Sequence, residues 1–235
     1  MVDRYFLPLL PEGDACELAG AEFHHLAHVM RSSRGEWLIV FDGQGTEADA
    51  EIVGISKTSA SLRLADRRSE SPKTRPEVVL ATAVPKADRF RWLVEKATEL
   101  GVDRLIPLQT ARSIVAPGAV KLDKMRQAVI EACKQSGRNR LMRIDPLTTW
   151  NEFVKAVVAN TGSYVADTTG LPFAQVSAGR SEQGPVLLVV GPEGGLTETE
   201  LCESIDAGAR LVNLGPRILR TETAAVALAA ALLLN

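Results

Sequence analysis

The chain has 235 residues, 46% of them apolar, so it can bury a hydrophobic core in one large domain or two smaller ones. Its formal net charge of −2 excludes a uniformly basic surface, so a nucleic-acid partner would have to bind a local basic patch. Cys16, Cys133 and Cys202 are far apart and form neither a C-x-x-C pair nor a secreted disulfide framework, which predicts reduced, buried cysteines.

Residues 1–70 are predicted to form a compact β-barrel with one helix. Short apolar or alternating runs are typical of half-buried strands, and turn residues such as Gly43 separate them. The predicted strands lie near residues 5–7, 37–41, 48–55 and 61–65, and the predicted helix covers residues 21–30. No basic region followed by an apolar run opens the chain, so we expect no signal peptide.

A polar segment separates this region from the rest of the chain. Residues 67–76 combine charged and hydroxyl side chains with two prolines and have no other apolar residue, which is typical of a linker. We therefore place the domain boundary in this segment, with a second domain over residues 75–235.

Strands and helices alternate in the second domain. Asp88 is expected to cap a helix that ends at Gly101, and a later helix is expected to end at Gly137. Capping boxes at residues 149–152 and 197–200 predict two further helix starts. This alternation indicates a mostly parallel α/β sheet with helices on both faces. The predicted strands are residues 78–84, 105–108, 164–166, 186–190 and 211–214.

The last apolar segment, residues 224–234, has no charge on any helical face, so as a helix it must be buried all round. It is either a core helix or a helix shared with the interface of a dimer. The segment is too short for a bilayer, which needs roughly 20 residues, so we expect a cytoplasmic protein without a membrane partner.

Two loops near the C-terminal end are predicted to form one ligand site. The sequence GPEGG at residues 191–195 follows one strand, and LGPRILRTET at residues 214–223 follows the next. In parallel sheets ligands bind at the carboxyl ends of strands. The glycines let a ligand approach the backbone, but neither G-x-G-x-x-G nor a P-loop lysine is present. Glu193 would repel phosphate and suits a ribose or a cation, which favours S-adenosylmethionine over a dinucleotide.

Two clusters of basic residues are candidates for contact with RNA phosphates. Seven lysines and arginines lie between residues 121 and 143, and a second group lies near the N-terminus. A solvated surface would explain such clusters equally well. The residues chosen from them as candidate RNA contacts are Arg4, His25, Arg31, Arg138 and Arg140.

The histidines do not predict a metal site. His24 and His28 are four residues apart and could share a helical face, but the glutamate of an H-E-x-x-H motif is absent. Beyond His25 the sequence has no further histidine to complete a zinc site, so we expect no metal.

Taken together, these motifs resemble the ribosomal RNA small subunit methyltransferase E family of the SPOUT superfamily. The resemblance extends over essentially the whole chain. It implies a PUA-like RNA-binding barrel over residues 1–70 and a SPOUT methyltransferase domain, with a C-terminal trefoil knot, over residues 75–235. Besides the two loops, the matching blocks are RYF at residues 4–6, VMR at 29–31, KADR at 86–89, VEKATELGV at 94–102 and QSGRNR at 135–140.

The resemblance also implies an activity. Family members are homodimers that use S-adenosylmethionine to methylate N3 of one uridine in the 16S rRNA of the small ribosomal subunit. By the same resemblance Lys86 is expected to contact RNA. The residues expected to bind the cofactor are Gly191, Glu193, Gly194, Gly195, Leu214, Gly215, Ile218, Leu219, Thr223 and Ala224.

Two side chains of the second loop are the candidates for catalysis. Uracil N3 carries a proton at neutral pH and must lose it before it can attack a methyl group. We expect Arg220 to stabilise the negative charge that develops on a uracil oxygen, because arginine stays protonated and is a poor base. Glu222 is the candidate base or orienting residue. Simple helix capping by Thr221 and Glu222 is the structural alternative.

The sequence is also compatible with other functions. A SPOUT methyltransferase acting on the ribose 2′-oxygen of tRNA would share the fold without needing N3 deprotonation. A non-catalytic RNA-binding protein would keep the basic patches and fail to bind the cofactor. A nucleotide-dependent oxidoreductase is disfavoured by the missing dinucleotide fingerprint.

Overall fold

The computed structural model describes residues 2–71, 75–114, 121–156, 158, 162–177 and 184–234. The chain divides into two compact units. The first consists of Met1–Pro72 and Ile130–Leu141, and the second of Lys73–Val129 and Met142–Asn235. The predicted division at residues 67–76 did not anticipate that residues 130–141 belong to the first unit.

The first unit contains a five-stranded sheet in the order β1-β3-β4-β5-β2. β1 and β3 pair in parallel, and the other neighbours are antiparallel. The predicted strands are confirmed, and a strand without a clear apolar alternation, β2, was not predicted. The strands are β1 (Arg4–Phe6), β2 (Ala15–Ala19), β3 (Trp37–Phe41), β4 (Thr46–Ile55) and β5 (Ser59–Ser69).

The end of β5 corrects the predicted linker. Residues 67–69 belong to this strand and not to a linker. Polar side chains are stable there because they pair across the sheet: Arg68 forms ion pairs with Glu47 at 3.0 Å and with Asp49 at 2.6 Å. The exposed end of a strand therefore has the composition of a linker.

The predicted helix of the first unit is confirmed, but only its first half is an α-helix. α1 (Gly20–His24) continues as a π-helical segment, His25–Met30. This segment ends at Arg31, which has a left-handed backbone with φ of 56°. The helix packs on the sheet through Phe23 and Leu26, which are buried in the hydrophobic core of the barrel.

Residues 130–141 complete the first unit through polar contacts. Lys134 forms an ion pair with Glu22 at 3.1 Å, and Arg4 donates a hydrogen bond to the side-chain oxygen of Asn139. The Gly45 amide donates to the Asn139 carbonyl at 3.0 Å. Gly45 has φ of 111°, which favours glycine, and a Cβ there would lie 2.6 Å from the guanidinium of Arg140, so the Arg140 side chain would have to move.

The second unit contains a sheet in which every described pair of neighbouring strands is parallel. The strand order is β12-β10-β11-β6-β7-β8, and β9 also pairs with β7. The predicted parallel α/β sheet is therefore confirmed. The strands are β6 (Val78–Ala83), β7 (Arg104–Gln109), β8 (Arg143–Ile144), β9 (Thr148–Thr149), β10 (Gly162–Pro172), β11 (Val186–Val190) and β12 (Arg210–Asn213).

Helices cover both faces of this sheet. Trp150 and Phe153 of one helix pack on the face formed by Val79 and Leu187. The last helix contacts β6 and β11. In β6 and β11, side chains on the face opposite to Val79 and Leu187, such as Leu80, are also fully buried. The helices are α2 (Ala87–Leu100), α3 (Leu122–Ser136), α4 (Trp150–Ala156), α5 (Phe173–Ser177), α6 (Glu198–Asp206) and α7 (Thr221–Leu233).

Two details of the predicted helices are corrected. Lys86, not Asp88, is the N-cap of α2, and Asp88 lies in the first turn, where its charge favours the positive end of the helix dipole. The predicted end at Gly101 is confirmed, with φ of 96°. All three cysteines are free as predicted, but only Cys133 is buried, and Cys202 is exposed on α6.

α7 buries one face within the chain. Ala225, Leu228 and Ala229 are completely buried, whereas Ala230 and its neighbours on the other side are half-buried and Leu234 is 71% exposed. The prediction of burial all round is therefore wrong for the single chain, because the sheet and α2 cover only part of the helix. The trefoil knot stays a prediction. Among the helices that the structure describes, none has the length and apolar character needed to cross a bilayer.

Candidate functional site

A cavity of about 360 Å³ lies at the carboxyl ends of β10, β11 and β12. This volume is within the range of small-molecule sites. The two predicted loops form two of its walls, as expected. The residues after the apolar part of β10, together with Arg112, form a further wall that the sequence did not predict. The lining residues outside the two loops include Arg112, Ala166, Asp167, Thr168, Leu196 and Asn213.

The first wall is a glycine-rich turn with a fixed shape. The Gly195 amide donates to the Pro192 carbonyl at 2.8 Å, and Gly195 has φ of 70°, a conformation that favours glycine. A Cβ on Gly191 would lie 3.0 Å from the Leu196 side chain. The turn leads into α6 through the predicted capping box: Thr197 accepts from the Glu200 amide, and Glu200 accepts from the Thr197 amide at 2.8 Å.

Arg112, from the segment after β7, holds this turn in place. Its Nη1 atom donates to the carbonyl oxygens of Gly194 at 2.7 Å and Leu196 at 3.3 Å. The neighbouring Ala111 amide donates to Oε1 of the buried Glu200 at 2.8 Å, which anchors the segment after β7 to the start of α6. Sequence reasoning did not place Arg112 in the site, because the contact joins residues more than 80 positions apart.

The second wall begins at Asn213. Its side-chain nitrogen donates to the Gly170 carbonyl at 2.6 Å, and its oxygen accepts from the Gly215 amide at 3.3 Å. The loop then reaches α7, where the Thr221 hydroxyl donates to the Gly191 carbonyl at 3.2 Å. This bond joins the two predicted loops directly.

The predicted cofactor residues fall almost entirely on this cavity. Thr223 is the exception, because it is exposed on α7 and does not line the cavity. The walls offer backbone groups at Gly194 and Gly195, carboxylates at Glu193 and Asp167, and the cations of Arg112 and Arg217, and no lysine is among the described lining residues. The two carboxylates fit a ligand with ribose hydroxyls and a cationic centre. The predicted residues that line the cavity are Gly191, Glu193, Gly194, Gly195, Leu214, Gly215, Ile218, Leu219 and Ala224.

The two candidate catalytic residues occupy different environments. Arg220 is the exposed N-cap of α7, and it does not line the cavity. Glu222 is buried, with its Oε1 atom 3.6 Å from Nη1 of Arg89. Its Oε2 atom is buried without a hydrogen-bond partner in the described part of the chain. Arg89 also donates to Glu193 at 3.2 Å, a link that sequence reasoning missed.

In the first unit, Arg4 is committed to contacts inside the protein. Its guanidinium pairs with Glu47 at 2.8 Å and lies 5.1 Å from the centre of the Phe41 ring, and its side chain is only 10% exposed. Burial raises the pKa of Glu47, but hydrogen bonds from Arg4 and Arg68 outweigh this effect and leave the pKa below its ordinary value. This placement argues against the predicted contact of Arg4 with RNA.

The remaining candidate RNA contacts are more varied. Arg31 and Lys86 are exposed, whereas Arg140 forms an ion pair with Glu70 at 3.0 Å. Burial lowers the pKa of Arg138. His25 is half-buried, and its Nδ1 atom has no hydrogen-bond partner among the described residues. The described part of the chain contains no group of three or more His, Cys, Asp or Glu side chains that could hold a metal ion.

The sequence matches the family described as RNA methyltransferase domain over residues 72–233 and the family described as RNA methyltransferase PUA domain over residues 18–65. Ribosomal RNA small subunit methyltransferase E of Bacillus subtilis (strain 168) is 34% identical and covers 95% of this chain and 93% of its own length. The Mycobacterium bovis protein of the same name is also 34% identical, over 94% of this chain and 87% of its own length.

A solved structure gives the same relationship. Ribosomal RNA small subunit methyltransferase E from Neisseria gonorrhoeae, bound to S-adenosyl methionine, superposes with a TM-score of 0.88 and 30% identity. The match covers 98% of this chain and 96% of that one. From the two domain matches, the full-length similarity and the shared fold, the chain belongs to the ribosomal RNA small subunit methyltransferase E family.

Proposed function

We propose that this protein transfers a methyl group from S-adenosylmethionine to N3 of one uridine in the 16S rRNA of the small ribosomal subunit. The observation that carries the proposal is the cavity at the carboxyl ends of β10, β11 and β12, where two family loops meet at the bond between Thr221 and Gly191. The N-terminal match to a PUA domain of RNA methyltransferases supports an RNA substrate.

The cavity would hold the methyl donor through its backbone and two carboxylates. Gly194 and Gly195 let the ligand approach the main chain, and Leu214 to Leu219 supply an apolar surface for an adenine ring. Glu193 and Asp167 are suited to accept hydrogen bonds from ribose hydroxyls and to favour a sulfonium charge. When bound, the donor supplies an electrophilic methyl group, and the protein has to bring the base to it.

The chain's own residues would bind the target base and ease the loss of its N3 proton. Arg220 is placed at the exposed start of α7, next to the cavity-lining residues Leu219 and Thr221, where it can reach a base bound outside the cavity. Its cation would stabilise negative charge on a uracil oxygen. Between the two roles predicted for Glu222, its burial behind Arg89 favours the orienting role over that of the base.

RNA contacts outside the reacting base would come from the exposed basic residues. Arg31 and Lys86 are available for contact with RNA, since both side chains are exposed. His25, Arg138 and Arg140 remain candidates with partly buried side chains. Phosphate contacts of this kind position the RNA and weaken binding steeply as salt increases.

Further parts of the proposal concern the second subunit, the chain topology and the place where the protein acts. The half-buried apolar side of α7, together with Trp92 of α2, which is 42% exposed, supports a homodimer in which a second subunit covers these side chains. We also propose that the segment around β12 and α7 forms the trefoil knot of the SPOUT superfamily. We also propose that the protein acts in the cytoplasm, because its substrate is ribosomal, and that it needs no metal ion.

The deciding experiment is a methyl-transfer assay with purified small subunits that lack the modification, followed by nuclease digestion and mass spectrometry. The proposal predicts one methyl group on N3 of one uridine. A methyl group on a ribose 2′-oxygen, or methylation of tRNA alone, would show that the protein is a different SPOUT methyltransferase. A parallel assay with protein-free 16S rRNA tests whether the assembled subunit is required, and calorimetry with S-adenosylmethionine separates catalysis from simple RNA binding.

A further inference from the structure

We propose that Arg89 contacts the target base directly and that Glu222 acts on the reaction by holding Arg89. This inference rests on the proposed function and adds to it a substrate-contacting residue. It concerns three charged residues from three elements: Arg89 in the first turn of α2, Glu193 in the glycine-rich turn and Glu222 in the first turn of α7.

Two carboxylates hold one side of the Arg89 guanidinium, and its other side has no partner among the described residues. Nη1 lies 3.2 Å from Oε1 of Glu193 and 3.6 Å from Oε1 of Glu222. A guanidinium has five N–H donors in a planar fork. The donors on Nε and Nη2 make no hydrogen bond to any residue that the structure describes, and the side chain is 33% exposed. Arg89 is therefore oriented from one side and available on the other.

The burial of Glu222 explains why it is paired with Arg89. A buried carboxylate is costly unless a cation is close. Arg89 is the cation that pairs with it in the described chain, and Glu193 is the second carboxylate at this point. Other cations on neighbouring segments form no described ion pair with Glu222. Arg220 is two residues before it in the chain, and on α2 Arg91 and Lys96 bind Glu95 and Glu99. The other elements packed on α7, namely β6, β11 and α5, have no ionisable side chain.

The position of Arg89 suits the rim of the cofactor cavity. Glu193 lines this cavity and is 39% exposed, whereas Arg89, its partner, is not among the lining residues. The Arg89 guanidinium therefore lies next to a wall of the cavity without filling the space needed by the cofactor. A base that enters from solvent would meet the unused donors of Arg89. Two uracil carbonyl oxygens flank N3, and either of them can accept a hydrogen bond from one of these N–H donors.

The chemistry favours a cation at this place. As N3 bonds to the methyl carbon, the donor's S–C bond breaks with its electron pair left on sulfur, and the N3 proton passes to water. Negative charge spreads from N3 to the carbonyl oxygens while the proton leaves. Arg89 donates to an oxygen that becomes more negative in the transition state, and it is already oriented by Glu193 and Glu222 before the base arrives.

The test compares Arg89→Gln, Arg89→Lys, Glu222→Gln and the Arg89→Gln/Glu222→Gln double variant with the full-length wild-type protein. The readouts are kcat and KM for small subunits, Kd for S-adenosylmethionine by calorimetry, and the pH dependence of kcat. Arg91→Gln is the matched control, because Arg91 is an exposed arginine of the same helix that pairs with Glu95. Thermal unfolding of every variant checks that it is folded.

We expect Arg89→Gln to lower kcat about 100-fold, the usual effect of removing a transition-state donor, with KM and Kd within about twofold of wild type. Arg89→Lys keeps the charge and should lose less. Glu222→Gln should lower kcat without changing the shape of its pH profile, and the double variant should be no slower than Arg89→Gln alone, because both changes act on one contact.

Several results would overturn the inference. An unchanged kcat in Arg89→Gln excludes contact in the transition state, and a higher KM with unchanged kcat assigns Arg89 to an RNA phosphate. Multiplied losses in the double variant, or loss of the acidic limb of the pH profile in Glu222→Gln alone, would make Glu222 an independent base. If the wild-type protein does not methylate uracil N3, the proposed function fails as well, whereas normal wild-type activity with an inert Arg89 rejects this inference alone.

Discussion

The Nη1 atom of Arg112 lies 2.7 Å from the carbonyl oxygen of Gly194, and this bond joins the segment after β7 to the glycine-rich turn of the cofactor cavity. Arg112 itself lines the cavity, so it both shapes the turn and borders the ligand. Thr221 and Arg89 bind other residues of the same turn, Gly191 and Glu193. The shape of the turn therefore depends on side chains from several parts of the chain, and Arg112 is the one that binds the exposed Gly194.

Arg112→Ala should weaken binding of S-adenosylmethionine about tenfold, because the loss of a charge-assisted hydrogen bond leaves the turn free to move in the unbound protein. Titration calorimetry measures the change. Arg126→Ala is the control, since Arg126 is an exposed arginine paired with the exposed Asp123. Equal affinity in the Arg112 and Arg126 variants would contradict a role of Arg112 in shaping the turn.

Gly170→Ala should disrupt the pairing of β10 and β12. A Cβ at this position would lie 2.4 Å from the backbone nitrogen of Val212, and backbone cannot move aside as a flexible side chain can. We expect the free energy of unfolding to fall by about 1–3 kcal/mol or more, as for other overpacked sites, with loss of cofactor binding. Urea denaturation and calorimetry test both effects. Gly13→Ala, where a Cβ meets nothing within 4 Å, should be neutral.

Glu200→Ala should destabilise the second unit by about 1–2 kcal/mol, because it removes half of a capping box and leaves the Ala111 amide without its acceptor. Chemical denaturation provides the measurement. The control is Glu198→Ala, which removes an exposed charge from the same first turn without breaking a described hydrogen bond. If both variants are equally stable, the buried carboxylate contributes nothing beyond its charge near the helix start.

Acidification should weaken the first unit through Glu47 and Asp49. The pKa of each is below its ordinary value in the folded protein: for Glu47, hydrogen bonds from Arg4 and Arg68 outweigh the opposing effect of burial, and for Asp49 a hydrogen bond from Arg68 is the largest cause. The contribution of the two carboxylates to the stability of the first unit is complete above their ordinary pKa values of about 4. It is lost as the pH falls through the lower pKa values that they have in the folded protein.

The variant Glu47→Gln tests this linkage. It should be less stable than wild type near pH 7, since the poorly exposed Arg4 loses its ionic partner, and it should lose less stability on acidification. Urea denaturation between about pH 7 and pH 3 gives both quantities. An identical pH dependence of the variant and the wild type would mean that Glu47 is not linked to folding.

Much of the second unit could be predicted because its strands are buried on both faces. The run at Val186–Val190 has no polar residue, and its bounds agree with the prediction. β2 was missed because Ala15–Ala19 mixes small, charged and apolar residues and pairs only with β5 at the edge of its sheet. Local composition decides the first case, and pairing with a distant strand decides the second.

In the candidate site, too, local features could be predicted and contacts between distant segments could not. The two glycine-rich loops could be predicted, because their backbone requirements are visible in the sequence, as at Gly195 and Gly215. Contacts between distant segments could not, and these include Arg112 on Gly194 and Arg89 between two carboxylates. A basic side chain looks the same in the sequence whether it meets RNA or, like Arg4, pairs with a buried glutamate.

The inclusion of Ile130–Leu141 in the first unit has a consequence for how the chain folds as it is made. Domains generally fold as units during synthesis, starting from the N-terminus. Here the barrel strands are complete at Ser69, but Glu22 must wait for Lys134 before its charge is matched. Arg4 already has Glu47 as its ionic partner, and it gains its hydrogen bond to Asn139 only when that later segment arrives. The barrel therefore reaches its final stability only after more than half of the polypeptide has left the ribosome.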